Sequence, residues 1–455
     1  MREELDLLLV YPAVDAEKYR KYFDTLQIDK GVPRQIAPHA GMAYILAVAK
    51  QHGIRAKFVN MFAEDVSPAK LLSYVETLRP RVVGFTGFTT QIAESAILAR
   101  MIKSVYPDVL ICVGGPHATA MPGGMLKEYD CFDFAVVGEA EDAVVQLFEN
   151  DLRLGDVSNT VTRDTVRHSV LRICDLDALP FPAWDEFDLS LYPGNSPHMT
   201  RRELPMSTSR GCPGTCTFCA RTFGRTRIVR SPDSIIAEIE RNIRDFGCEA
   251  LNFDDETFLD NATLDTSVDF FEKMIIKGLH RKVKWACEFR VDVSDLTIFK
   301  LMRRAGCYYA FFGVESANEG IRHNIGKIYP TEQIMSTIST VRDCGIVCVA
   351  SFILGLPGET EETAWESIRL AKELNIYSTT FPIAVPFPGT ALRRQAERGD
   401  YGLRILTNDW SLYGKQRPGV MESDMLSIER LRELQQEAYT YNPKKELPVY
   451  TEAGA

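Results

Sequence analysis

Apolar positions in the first 150 residues follow two alternating rhythms. The runs LDLLLVY, KFVN, VVGFTG, VLICVGG and DFAVVGE are almost continuously apolar and end on glycine or turn residues, which predicts buried strands. Between them, AGMAYILAVAKQHG, PAKLLSYVETLR and TQIAESAILARMIKSVY place apolar residues at helical spacing. Strands alternating with helices imply a parallel sheet covered on both faces, an α/β doubly wound fold. Ligands of such sheets sit beyond the carboxyl ends of the strands. Here those ends carry Thr86-Gly87, Gly114-Gly115-Pro116-His117 and Gly138-Glu139.

The rhythm stops after residue 150. Pro180, Pro182, Pro193 and Pro197 punctuate the next stretch, which predicts a linker over 151–202. It resumes over 203–395, where LPMSTSR, ALNFDD, VKWACEF, YYAFFGVES, VCVASFILG and STTFPIAV read as strands separated by helical segments. Six strand–helix units predict a partial (β/α)6 TIM-like barrel with its active residues at the C-terminal strand ends. Residues 396–455 begin irregularly and close on one amphipathic helix, SIERLRELQQEAYTY.

Composition narrows the class without choosing the chemistry. With 455 residues, 45% of them hydrophobic and 25% charged, the chain is globular and large enough for two or three domains. No apolar run approaches the roughly 20 residues that span a bilayer. Acidic residues flank the apolar stretch near the N-terminus and no small-residue cleavage site follows it, so a buried strand and a cytoplasmic enzyme are expected. A net charge of −10 argues against a nucleic-acid surface, which needs clustered Lys and Arg, and it suits a cationic substrate.

Eleven cysteines in a chain of this length are not a disulfide framework. Eight are scattered and read as buried thiols that pack as small hydrophobes. The other three, Cys212, Cys216 and Cys219, crowd into STSRGCPGTCTFCAR, where Pro213 and Gly214 prevent a helix. Chance yields such a trio about once in a hundred chains of this composition. Structural zinc wants four closed ligands, whereas His198 and Cys248 lie well outside the loop. Three thiolates suit a cubane cluster that leaves one iron without a protein ligand.

This C-x-x-x-C-x-x-C after the first barrel strand resembles the radical S-adenosylmethionine (SAM) superfamily. The resemblance implies a 4Fe-4S cluster on the three cysteines and reductive cleavage of SAM to a 5′-deoxyadenosyl radical. It also implies cofactor contacts at successive strand ends. Phe218 falls where the family packs an aromatic on the adenine, and Asp254, Asp255 and Glu256 where it holds the methionine amino group. Glu288 with Arg290, and Glu315 with Ser316, fall where it reaches the ribose or carboxylate. Gly355 and Leu356 end the fifth strand, and Pro386 and Pro388 the sixth, bordering the adenine. Singly, each has a plainer reading as a helix cap or turn.

The order of domains is similar to the group of this superfamily with an N-terminal cobalamin-binding-type domain. No D-x-H-x-x-G is present, so no histidine is set up as a lower cobalt ligand, and His117, in a glycine-rich loop, reads equally as a local hydrogen-bonding residue. The missing motif and the acidic balance lean toward radical dehydration of a diol, as in aminosugar deoxygenation within antibiotic biosynthesis. The alternatives are a cobalamin-dependent radical SAM methyltransferase and a non-catalytic cobalamin or redox sensor. Dehydration needs an acid and a base, and the candidates are Glu139, Asp255, Glu256, Tyr308 and Tyr309. The implied partners are a small-molecule substrate, an external one-electron donor such as flavodoxin or ferredoxin, and a separate NAD(P)H reductase.

Overall fold

Each apolar run of the N-terminal third is wide enough only for a strand buried on both faces. In the computed structural model, which describes residues 4–13, 37–165, 168–192, 202–293, 295–414 and 419–445, these runs form a six-stranded sheet. In chain order its elements are β1 (Leu7–Tyr11), α1 (Ala40–Gln51), β2 (Ala56–Asn60), α2 (Pro68–Leu78) and β3 (Val82–Thr86). There follow α3 (Ile92–Val105), β4 (Leu110–Gly114), α4 (Pro116–Ala120), α5 (Pro122–Glu128), β5 (Phe134–Val136), α6 (Glu141–Glu149) and β6 (Thr160–Val161). The strand order is β2-β1-β3-β4-β5-β6, so the winding reverses between β1 and β3, the switch point at which such sheets bind ligands. The paired strands are parallel except β6, which runs antiparallel to β5. That edge strand comes from the stretch read as linker, and 193–201 of the stretch lies outside the described residues.

Local chemistry fixes the helix ends. Ser67 accepts from the Lys70 amide ahead of a proline in the first turn of α2. Asn159 clamps the returning chain: its side chain donates to Leu171 O at 3.0 Å and accepts from Leu171 N at 2.7 Å. The short segment Asp409–Gly414 belongs to this first unit although it follows the barrel in sequence.

The second unit begins with β7 (Glu203–Met206) and β8 (Ser209–Arg210), two pieces of what the pattern predicts as one strand. After β9 (Ile228–Val229) and α7 (Pro232–Phe246) come β10 (Ala250–Phe253), α8 (Leu264–Ile276), β11 (Lys284–Phe289), α9 (Ile298–Arg304) and β12 (Cys307–Glu315). The unit continues through α10 (Glu319–Asn324), α11 (Thr331–Asp343), β13 (Val347–Phe352), α12 (Glu361–Glu373), β14 (Ser378–Thr380) and α13 (Ala391–Arg398). The small hairpin β15 (Arg404–Ile405) and β16 (Met421–Glu422) and the final helix α14 (Ile428–Tyr441) complete it.

Strands β7, β10, β11, β12, β13 and β14 lie side by side in that order, all parallel, as the partial barrel requires. Ser231, with Pro232 behind it, caps α7, whose end is marked by Gly247 in the left-handed conformation. The outward faces of β10 and β11 bury Phe253 and Trp285 against Phe258, Phe270 and Phe271. No helix of the described residues is long and apolar enough to cross a membrane.

One buried arginine braces the loop after β12. Arg322 donates to Ser316 O at 2.8 Å, Ala317 O at 2.6 Å, Tyr329 O at 3.1 Å and the Thr331 hydroxyl at 2.9 Å. Its removal orphans several buried acceptors at about 1–3 kcal/mol each. Arg322→Ala should therefore lose at least about 3 kcal/mol of stability. Urea unfolding followed by tryptophan fluorescence measures it, and a loss under about 1 kcal/mol would mean that water replaces the guanidinium.

Candidate active site

The cysteine loop leaves β8 through Gly211, whose φ of +92° turns the chain away from the strand. Backbone bonds hold the loop: Cys212 N donates to Gly224 O at 3.2 Å, and Thr217 N to Ile325 O at 3.0 Å. The Thr215 hydroxyl donates to Gly326 O at 3.1 Å. A Cβ on Gly326 would stand 2.7 Å from Thr215 O, so the close approach of the two segments requires glycine. Cys212 and Cys216 are half-buried and Cys219 is exposed. Among the described residues no three His, Cys, Asp or Glu side chains close on a single metal ion. One zinc would require that closure, whereas in a cluster each thiolate takes its own iron.

Three cations or carboxylates surround this loop. The Arg290 guanidinium is locked to Asp292 at 2.6 and 2.9 Å and would contact a Cβ on Gly214 at 2.7 Å. Burial raises the Cys212 thiol above its usual value; Gly214 N and Arg290 oppose this, and Cys216 and Glu256 add to it. Glu315 sits at φ +71°, where a bulge in the β12–β13 ladder turns its side chain toward Lys327 at 2.8 Å. Burial alone would lower the Lys327 ammonium, but Glu315 outweighs it and leaves the group raised. Gly313 makes room for this pair, since a Cβ there would overlap both side chains. Lys327 went unassigned in the sequence because it lies 12 residues beyond Glu315, on the far side of α10.

The consecutive acids of NFDDETF point to different surroundings. Asp255 accepts from Thr208 N at 3.1 Å and the Thr208 hydroxyl at 2.8 Å, and also from the Ser209 hydroxyl. It therefore anchors the end of β10 to the turn between β7 and β8, where the cysteine loop starts. Asp254 lines a cavity of about 340 Å³ together with Asp255 itself, Asn252, Glu288, Tyr309 and Phe311. Although it faces this opening, the enclosing walls, and next Asp255, push the Asp254 carboxyl up to about 7. The β11–β12 register skips Tyr308, so Tyr309 lines the cavity and Tyr308 does not.

The remaining strand ends form an apolar floor and tight turns. Phe218 packs with Leu356, Ile321 and Ala384, joining the cysteine loop to the ends of β13 and β14. Gly355, at φ +82°, donates its N–H to Glu359 at 2.5 Å. Burial pushes the Glu359 carboxyl up to about 8. Sequence reasoning left Glu359 unassigned, although it ends the ILGLPGE run. Ser316 is fully buried, its hydroxyl 3.3 Å from that of Ser367 and accepting from Asn318 N, which makes it a turn residue. Pro386 and Pro388 are buried in the turn that Thr390 closes as the N-cap of α13.

In the first unit, Glu139 is buried and ion-paired to Arg172 at 3.0 Å, and it also accepts from Ile173 N. That geometry makes it the hook of the returning chain. Gly115, at φ +93°, approaches Gly87 so closely that a Cβ would sit 3.0 Å from Gly87 O. Just beyond, His117 is 1% exposed, and among the described residues neither ring nitrogen has a hydrogen-bond partner, which counts against the local hydrogen-bonding reading. A glycine cradle beside an orphaned polar ring at the ligand end of the sheet fits a large polar cofactor such as cobalamin.

Two outcomes follow from these contacts. Because its folded pKa is raised, Asp254 binds a proton more tightly folded than unfolded, so stability falls as pH rises from 3.8 to about 7. Asp254→Asn removes that slope, and its melting temperature should gain on the wild type across the window; a constant gap would contradict the raised carboxyl. Gly326→Ala should push the cysteine loop off residues 325–326 and lower the iron bound per chain at least twofold, measured by colorimetric iron assay at unchanged helix content.

Comparison with known proteins agrees with this geometry. Residues 27–148 match the B12 binding domain and residues 206–371 the Radical SAM superfamily. An uncharacterized methyltransferase of Pyrococcus horikoshii is 28% identical over 90% of this chain and 88% of its own length. The anaerobic magnesium-protoporphyrin IX monomethyl ester cyclase of Cereibacter sphaeroides is 30% identical over 80% of this chain and 62% of its own. The radical SAM methyltransferase TsrM of Kitasatospora setae, solved with cobalamin and a [4Fe-4S] cluster, superposes with a TM-score of 0.69 at 17% identity, over 91% of this chain and 85% of that one. Its cofactors are thus the 4Fe-4S cluster, SAM and cobalamin, and the chain belongs to the radical SAM superfamily, in the group that carries an N-terminal B12-binding domain.

Proposed function

We propose that the protein is a cobalamin-dependent radical SAM methyltransferase of a small molecule. The reading rests on one observation: a B12-binding unit and a radical SAM unit occur in one chain. The name of the Pyrococcus relative, which covers most of both chains, favours methyl transfer over the dehydration toward which the sequence leans. When bound, the cluster supplies one electron to the sulfonium of SAM, and cobalamin serves as a methyl carrier.

The chain's own residues bind and orient. Cys212, Cys216 and Cys219 hold the cluster. Phe218 and Leu356 offer an apolar surface to the adenine, and Arg290 lies where a carboxylate would be met. Glu315, aimed by its ion pair with Lys327, accepts from an amino or hydroxyl group of the cofactor. Asp254 and Glu288 present carboxyl groups to a substrate inside the barrel, and Asp254 takes or releases a proton near neutral pH. Electrons come from an external one-electron donor.

Radical dehydration of a cationic aminosugar is the second reading, favoured by that carboxyl wall and by the acid poised at about 7. Product analysis separates the two. Anaerobically reconstituted protein given SAM, reductant, hydroxocobalamin and candidate substrates should form S-adenosylhomocysteine together with 5′-deoxyadenosine. Formation of 5′-deoxyadenosine alone, with loss of water from the substrate, would replace methyl transfer by dehydration. Cys216→Ala should abolish both products and lower bound iron.

A further inference from the structure

His117 carries an unpaid desolvation cost. It sits in the first turn after β4, 1% exposed, with Nδ1 and Nε2 both lacking a hydrogen-bond partner among the described residues. Burial holds the ring neutral by lowering its pKa to about 4, so it offers one donor and one acceptor. Leaving such a group unsatisfied is destabilising, and a residue that only filled space there would be better as leucine. The ring lies at the strand-end face where Gly115 meets Gly87, beside the switch point.

A second feature fixes the ring from outside the residues matched to the B12 binding domain. Trp410 packs edge-on against His117, with ring centroids 5.2 Å apart at 70°. Its indole N–H donates to both carboxylate oxygens of Glu128 at 3.1 Å, and its ring also meets Tyr413 at 4.9 Å. Trp410 rides on a single helical turn, Trp410–Leu412, packed against Thr89–Gln91 at the end of β3.

We infer that His117 is a hydrogen-bonding subsite for the amide-bearing periphery of cobalamin, and that Trp410 is its positioning residue. A neutral imidazole suits uncharged primary amides, each of which offers a donor and an acceptor, better than it suits an anion. The proposal rests on the reading of the first unit as a cobalamin carrier.

The test uses the full-length, cluster-reconstituted protein titrated with hydroxocobalamin. Binding is read by equilibrium dialysis and visible absorbance, and stability by thermal unfolding with and without the corrinoid. His117→Leu should weaken binding about tenfold, the equivalent of one hydrogen bond, while raising the melting temperature of the corrinoid-free protein. His117→Gln, which restores a donor and an acceptor, should recover part of the affinity. Trp410→Ala should weaken binding to a similar degree, and the double variant no further than His117→Leu alone. His117→Leu protein that binds hydroxocobalamin as tightly as the wild type overturns the subsite, whatever its melting temperature. Losses that multiply in the double variant remove Trp410 from it. Wild-type protein that binds no hydroxocobalamin overturns the carrier reading itself, and the subsite with it.

Discussion

The position of the cysteine loop depends on one buried carboxylate. The loop has no regular structure of its own, and the strand that launches it, β8, is two residues long. Asp255 ties that launch point to the end of β10 by accepting from both the amide and the hydroxyl of Thr208 and from Ser209. Arg227 extends the tie, donating to the Ser209 hydroxyl at 2.9 Å and to Asp260 at 2.9 Å. Burial raises the Asp255 carboxyl above its usual value, and the bonds from Ser209 and Thr208 and the charge of Arg227 oppose that rise. Phe218, Arg290 and the segment 325–326 then meet a loop whose origin is already fixed.

Environment rather than residue type separates the carboxyl groups of this barrel. Asp254 and Asp255 are adjacent in sequence and both border the cavity, yet Asp255 is also tied to Thr208 and Ser209. Glu315 is paired with Lys327 at 2.8 Å, while burial, against the backbone N–H groups of Gly355 and Leu356, pushes Glu359 up to about 8.

Much of this was legible in the sequence, and the limits have physical causes. Both parallel sheets follow from continuous apolar runs, because strands covered on two faces need them. The three cysteines follow from spacing. What the sequence hid was contact over distance: the Glu315–Lys327 pair joins residues on either side of a helix, and Glu139 meets Arg172 33 residues on. Register also hid roles, since one skipped residue in β12 decides between Tyr308 and Tyr309. The short edge strand β6 carries only Thr160 and Val161, too little for any periodic signal to lift it out of the proline-punctuated stretch.

Segment Asp409–Gly414 carries the same lesson further. Nothing in its composition marks DWSLYG as part of the first unit, whose other residues are Met1–Pro193 and Ala220–Phe223. Its place in the first unit follows from an indole N–H that finds Glu128 and a ring face that finds His117, two matches that only the folded chain brings together. A tryptophan held at both its polar and its apolar end is rigid, and rigidity is expensive on a short surface turn unless the neighbour it fixes matters. That neighbour is a histidine whose nitrogens have no hydrogen-bond partner among the described residues. The cost of the orphaned ring and the cost of the ordered turn point to the same place, the ligand end of the first sheet.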